Sequence, residues 1–164
     1  MTTESAGSMQ QRTERIQRLW QRLQTTAGFS YISSPGPASQ TGWQGSGQGR
    51  VTVERQGSDE LHFAEVGEFT LASGQTVVMH NRFIWQKRPS GLALSHGRRG
   101  EPVFLFELVP LTEGVWRSVQ DHVCIHDLYS GELTEKSGGF TLVWHIRGPK
   151  KDEQLFYHYF PDNS

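Results

Sequence analysis

Residues 75–88 read QTVVMHNRFIWQKR, and their alternation decides the fold class. Successive side chains on a strand point to opposite faces. Val78, His80, Arg82 and Ile84 therefore share one side, and Val77, Met79, Asn81, Phe83 and Trp85 share the other. Fourteen residues rich in Val, Ile, Phe and Trp, with no helical spacing, predict a strand.

The same pattern continues in both directions. Strands are expected at 61–71 (LHFAEVGEFTL), 91–97 (GLALSHG), 102–110 (PVFLFELVP), 114–119 (GVWRSV), 121–133 (DHVCIHDLYSGEL), 139–148 (GFTLVWHIRG) and 153–160 (EQLFYHYF). Ser73-Gly74, Pro89 to Gly91, Gly97 to Gly100, Gly131 and Ser137 to Gly139 punctuate them. Upstream, TGWQGSGQGRVTVER places Gly45, Gly47 and Gly49 on one face of a further strand, where a sharp bend or a close backbone demands glycine. Short connections without intervening helices predict an antiparallel meander rather than βαβ units. About nine or ten strands in 164 residues predict a sandwich or a barrel, and closure removes exposed edges. The expected fold is mostly β, a single up-and-down antiparallel barrel of calycin or lipocalin type with one N-terminal helix.

That helix is expected over 9–25, where Ile16, Leu19, Trp20 and Leu23 form one apolar stripe. A lone helix of this length is marginal in water, so it must dock, as a lid or plug on the sheet. Residues 1–8 are small and polar and are expected to be disordered, 33–42 to be loop, and 161–164 to be a tail. The domain then runs over 9–160.

Composition narrows the partners. Net charge is -1, which gives no global basic field for nucleic acid or an anionic membrane. The single Cys, Cys124, excludes an internal disulfide framework and favours a reducing compartment. The N-terminal residues carry no apolar signal region, and no stretch is long enough to span a bilayer as a helix. A cytoplasmic monomer or homodimer is expected. No helix or Lys-Ser/Thr follows the glycine run, so it is no P-loop, and no GxSxG elbow supports a serine hydrolase.

Polar chemistry gathers at two places. In a regular strand His122, Cys124 and His126 share one face, but same-face neighbours stand nearly 7 Å apart by strand rise, so one metal would need a ligand from another strand. No metal is expected, and a hydrogen-bonded cluster is preferred. A thiol enzyme would need Cys124 activated by a histidine such as His80, His96 or His145. Arg82 is the second place. Among apolar neighbours it must be paired or face a polar cavity, where it would receive the anionic group of an otherwise apolar ligand.

TGWQGSGQGRV, NRFIW, LSHGRRGEPVFLFEL, HVCIHDLY and FTLVWHIRGPKKD together resemble a domain-of-unknown-function family, from about Leu19 to Tyr159. His122, Cys124, Asp127 and Tyr129 match its H-x-C-x-x-D-x-Y segment. Trp144, Gly148, Pro149 and Lys151 match its W-x-x-x-G-P-x-K turn. His126 falls outside the pattern. For Asp127 and Tyr129 to join His122 and Cys124 on one face, the strand needs a bulge near 125–126. The Trp43 to Gly49 opening is more distantly similar to nitrobindin-like and other calycin barrels. That resemblance implies haem or a hydrophobic ligand inside, with His158 as the nearest haem ligand; no cofactor is otherwise expected.

These readings converge on a barrel binding a small, partly apolar, anionic molecule. Trp43, Arg82, His96, His122, Cys124, Asp127, Tyr129, Trp144 and Lys151 are the candidate contacts, with the helix as lid. The rivals are an enzyme using the His/Cys/Asp/Tyr cluster and an interaction module whose barrel is filled.

Overall fold

A computed structural model describes residues 6–36, 44–98, 101–119, 122–124 and 127–162. One helix, α1 (Ala6–Gln24), precedes β1 (Thr26–Pro35), β2 (Gly45–Arg55), β3 (Glu60–Leu71), β4 (Thr76–Lys87), β5 (Leu92–Arg98) and β6 (Glu101–Thr112). There follow β7 (Val115–Ser118), β8 (His122–Cys124), β9 (Asp127–Lys136), β10 (Gly139–Arg147) and β11 (Asp152–Pro161).

Each strand pairs antiparallel with its sequence neighbours, except that β7 pairs with β9 rather than β8, and β1 pairs with β11. Phe29 stands opposite Tyr159 and Tyr31 opposite Tyr157 in that closing ladder. The sheet is therefore a closed barrel. β7 and β8 lie on the same edge of β9, Val115–Arg117 against its Thr134–Glu132 and His122–Cys124 against its Tyr129–Asp127. They share one position, so the wall has ten.

Three local expectations need correction. The helix starts at Ala6, inside the segment expected to be disordered. The chain is extended over Thr26–Pro35, part of which was expected to be loop. Small polar residues mask the alternation there, although Phe29, Tyr31 and Ser33 are buried. The single strand expected over 121–133 is two strands, because β8 ends at Cys124 and β9 returns antiparallel from Asp127. That reversal replaces the bulge: Tyr129 stands opposite His122 and Asp127 opposite Cys124.

The glycine strand lies where the backbones of β2 and β3 approach closely. Gly49 faces Gly67 across the β2–β3 ladder, and a Cβ on Gly49 would stand 2.2 Å from the Val66 carbonyl oxygen. Only glycine permits that approach.

The helix closes one end. Ile16, Leu19, Trp20 and Leu23 are buried in the barrel core, which also holds Phe29, Phe63, Trp85, Phe106 and Phe140. The helix is tied to the rims of three hairpins. Arg18 donates to Glu113 at 3.1 Å, Arg22 to the Lys136 and Gly139 carbonyls at 2.6 and 3.0 Å, and Lys87 to Gln17 at 3.2 Å. It is a plug for that end.

Candidate functional site

Away from the plug the interior is not filled. A cavity of about 240 Å³ lies toward the end that carries the β3–β4 and β10–β11 turns. An engineered cavity of roughly 150 Å³ takes benzene, so this one suits a somewhat larger molecule.

The walls follow from strand alternation. On β4 the inward face carries Met79, Asn81 and Phe83. On β11 Leu155 and Tyr157 face in, and on β10 Trp144 and Ile146. The aromatic rings lock one another. Trp144 meets Phe83 edge-on at 5.3 Å and Phe106 edge-on at 5.7 Å, and stacks on Tyr157 at 6.2 Å. Phe83 in turn stacks on His96 at 5.2 Å. Such mutually fixed rings make a pre-formed surface for a flat ligand.

Polar groups are few. Asn81, His96, Tyr129 and Lys151 line the cavity. Lys151 reaches it because the Gly148-Pro149 turn is closed by the Gly148 N–H donating to the Lys151 carbonyl at 2.8 Å. Its ammonium lies 3.6 Å from Asp127 Oδ2, too long for a hydrogen bond but close enough for an ion pair. The buried indole N–H of Trp144 has no acceptor among the described residues. The Tyr31 hydroxyl is held above the usual phenol range chiefly by burial, against the lowering effect of its hydrogen bond with Ser33. It is a neutral group.

Outside the residues that line the cavity is Glu65, 1% exposed on the inward face of β3. Tyr159 donates to its Oε2 at 2.6 Å, and its Oε1 has no partner among the described residues. Burial raises its carboxyl to about 8, only partly offset by the Tyr159 hydrogen bond. At neutral pH it is mostly a neutral acid. Glu65 stands opposite the cavity-lining Asn81 in the β3–β4 ladder.

The expected contacts divide. His96, Tyr129, Trp144 and Lys151 come together in the cavity, with Asp127 beside Lys151. Trp43 and His126 lie outside the described residues. For His122 and Cys124 the structure gives the backbone pairing with β9 and nothing of the side chains.

Arg82 is not an interior cation. It points outward, its side chain 40% exposed, and donates to Glu54 at 3.0 Å and to His62 Nδ1 at 3.1 Å. Since Nδ1 accepts, the His62 Nε2–H donates to Glu60, at 2.8 Å. That bond and a second from Gln86 hold Glu60 below the usual carboxylate range. Sequence reasoning demanded a partner for Arg82, and the partner is an outer-wall chain of polar side chains rather than a ligand.

The helix is likewise no lid on the site, since it fills the opposite end. His158 does not fit an interior haem: its neighbours Tyr157 and Tyr159 face in, and it lies on the outer wall with its ring 5.5 Å from that of Phe160. Among the described residues no group of three His, Cys, Asp or Glu could hold a metal ion.

The sequence matches the model of a family of unknown function, DUF6314, over residues 31–160. The chain belongs to the DUF6314 family. The matched stretch takes in the cavity wall from Tyr31 to Tyr157 and leaves α1 outside. No curated protein matches the DUF6314 chain. Among solved structures it is similar to EF1p2_mFAP2b bound to DFHBI, at 13% identity, over 90% of this chain and 99% of that one, with a TM-score of 0.47. A likeness that distant carries no argument about the site. Among the described residues no helix is long and apolar enough to cross a membrane.

Proposed function

We propose that this barrel binds a small aromatic molecule bearing an anionic group, in the cavity opposite the helix plug. One observation carries the reading. The cavity is walled by interlocked aromatic rings, yet it is lined by an ammonium, Lys151, and one of its wall residues, Trp144, keeps a buried indole N–H with no acceptor among the described residues. Native interiors satisfy their buried donors, so an unpaired one on a cavity-wall residue supports an acceptor supplied by a ligand. A flat ring between Phe83, Trp144 and Tyr157 would bury apolar surface, and its carboxylate would reach Lys151 at the rim. Lys151 takes the anion-receiving role that sequence reasoning gave to Arg82.

The test is a panel of benzoate, salicylate and indole-3-carboxylate, each against its neutral amide, followed by native mass spectrometry and calorimetry. The expected result is one site per chain, with the carboxylates preferred. Lys151→Met should remove that preference and leave binding of the amides. Val103→Trp, which projects a large ring into the cavity, should abolish binding of both. Failure of every probe to bind, or binding unchanged in Val103→Trp, would overturn the reading.

A further inference from the structure

The cavity has a floor of rings, and the floor fixes which walls face each other. Phe83 on β4 meets Trp144 on β10 edge-on at 5.3 Å, and Phe106 on β6 meets Trp144 at 5.7 Å, so these rings span the interior. β4 begins at the cavity end and β10 finishes there. Two residues from Phe83 toward that end, on the same inward face, stands Asn81. Two residues from Trp144 toward it stands Ile146, and the turn after β10 carries Lys151. Asn81 and Lys151 therefore rise from opposite walls, with the rings between them. Asn81 is half-buried, flanked on its own strand by the wall residues Met79 and Phe83. Its carboxamide offers two N–H donors and a carbonyl acceptor. The other polar wall residues, His96, Tyr129 and Lys151, each have an interaction partner. The Asn81 carboxamide has no hydrogen bond among the described residues.

We propose that Asn81 is a specificity-determining residue of this cavity, and that the ligand class is aromatic carboxylates carrying a carboxamide on the ring edge away from the carboxylate. The inference rests on the pocket reading above and adds a second anchor to it. The anionic end lies by Lys151 and the neutral polar end by Asn81. A carboxamide answers both halves of the Asn81 side chain, its N–H donating to the Asn81 carbonyl and its carbonyl accepting from the Asn81 N–H. Asparagine reads the adenine edge through the same two-bond fork. An apolar group of the same shape leaves that fork unpaired, and a site that hydrogen-bonds one group rejects an isostere lacking it.

The experiment compares 4-carbamoylbenzoate with 4-isopropenylbenzoate, planar probes of the same shape, by calorimetry on the full chain. The wild type should prefer the carbamoyl probe by about tenfold. Asn81→Leu and Asn81→Ala should each bring that ratio to one or below. Lys151→Met should weaken both probes and keep the ratio, because the two anchors act at opposite walls. Thermal melts of each variant establish that it is folded, and the melt of Asn81→Leu should not fall, since the amide it removes pairs with nothing in the fold. If the wild type binds both probes equally, or if the Asn81 variants keep the preference, Asn81 does not read the ligand, while the pocket reading stands. If neither probe binds the wild type, the pocket reading fails and this inference falls with it.

Discussion

The Tyr159 hydroxyl donates to Glu65 Oε2 at 2.6 Å in the middle of an aromatic barrel. Burial raises the carboxyl to about 8 against an ordinary 4.5. In the window between those values the folded chain holds a proton that the unfolded chain has released, so stability falls as pH rises. Above about 8 both states are ionised and the slope disappears. Inside the window this one group contributes a loss of about 1.4 kcal/mol per pH unit. Denaturant unfolding of the wild type from pH 5 to 9 should show that decline, and Glu65→Gln should flatten it. An equal slope in both proteins would show that Glu65 is not the source.

Tyr159→Phe leaves Glu65 Oε2 without its donor in a dry interior. The expected cost is about 1–3 kcal/mol, the usual penalty for stranding a buried polar group. Chemical denaturation measures it. Adding Glu65→Leu to this variant should recover stability, because both ends of the bond are then apolar. An added loss in the double variant would contradict the pairing.

Arg82→Met and Lys151→Met separate the two cations. Arg82 lies on the outer wall with Glu54 and His62, so its replacement should leave the affinity for an aromatic carboxylate unchanged. As an exposed pair it should change stability by less than about 1 kcal/mol. Lys151→Met should weaken carboxylate binding severalfold or more. The reverse outcome, with Arg82 the sensitive position, would place the anion outside the barrel.

Leu19 is fully buried where the helix enters the barrel. Leu19→Ala should cost about 2–5 kcal/mol, as large-to-small changes in packed cores do. Ligand affinity, measured where the variant is folded, should hardly move, because the plug and the cavity occupy opposite ends. A selective loss of affinity at preserved stability would restore the helix to the role of a lid.

The architecture was legible because it depends on patterns with a fixed period. Ile16, Leu19, Trp20 and Leu23 read as one helical stripe, and all four are buried. The face shared by Met79, Asn81, Phe83 and Trp85 is the inward face of β4. The reversal between Cys124 and Asp127 was not legible, since DHVCIHDLY carries neither Gly nor Pro to mark it. Arg82 misled because its outward neighbours Val78 and Ile84 are apolar, which made both faces of the strand resemble a core. Glu65 had a signal that went unused: Leu61, Phe63, Glu65, Gly67 and Phe69 share one face, and a single carboxyl among those residues marks a buried acid. Trp144 and Lys151, the first and last residues of the W-x-x-x-G-P-x-K segment, do meet in one cavity. Their joint role needs the turn between them, which pattern alone does not give.

The most direct measurement follows the indole N–H resonances by NMR during titration with an aromatic carboxylate. Trp144 has no acceptor among the described residues, whereas Trp116 already donates to Glu135 at 3.1 Å. Ligand entry should move the Trp144 indole proton strongly downfield in a saturable way and leave that of Trp116 nearly still. A Trp144 resonance that stays in place while the ligand saturates the protein would show that the cavity is not where it binds.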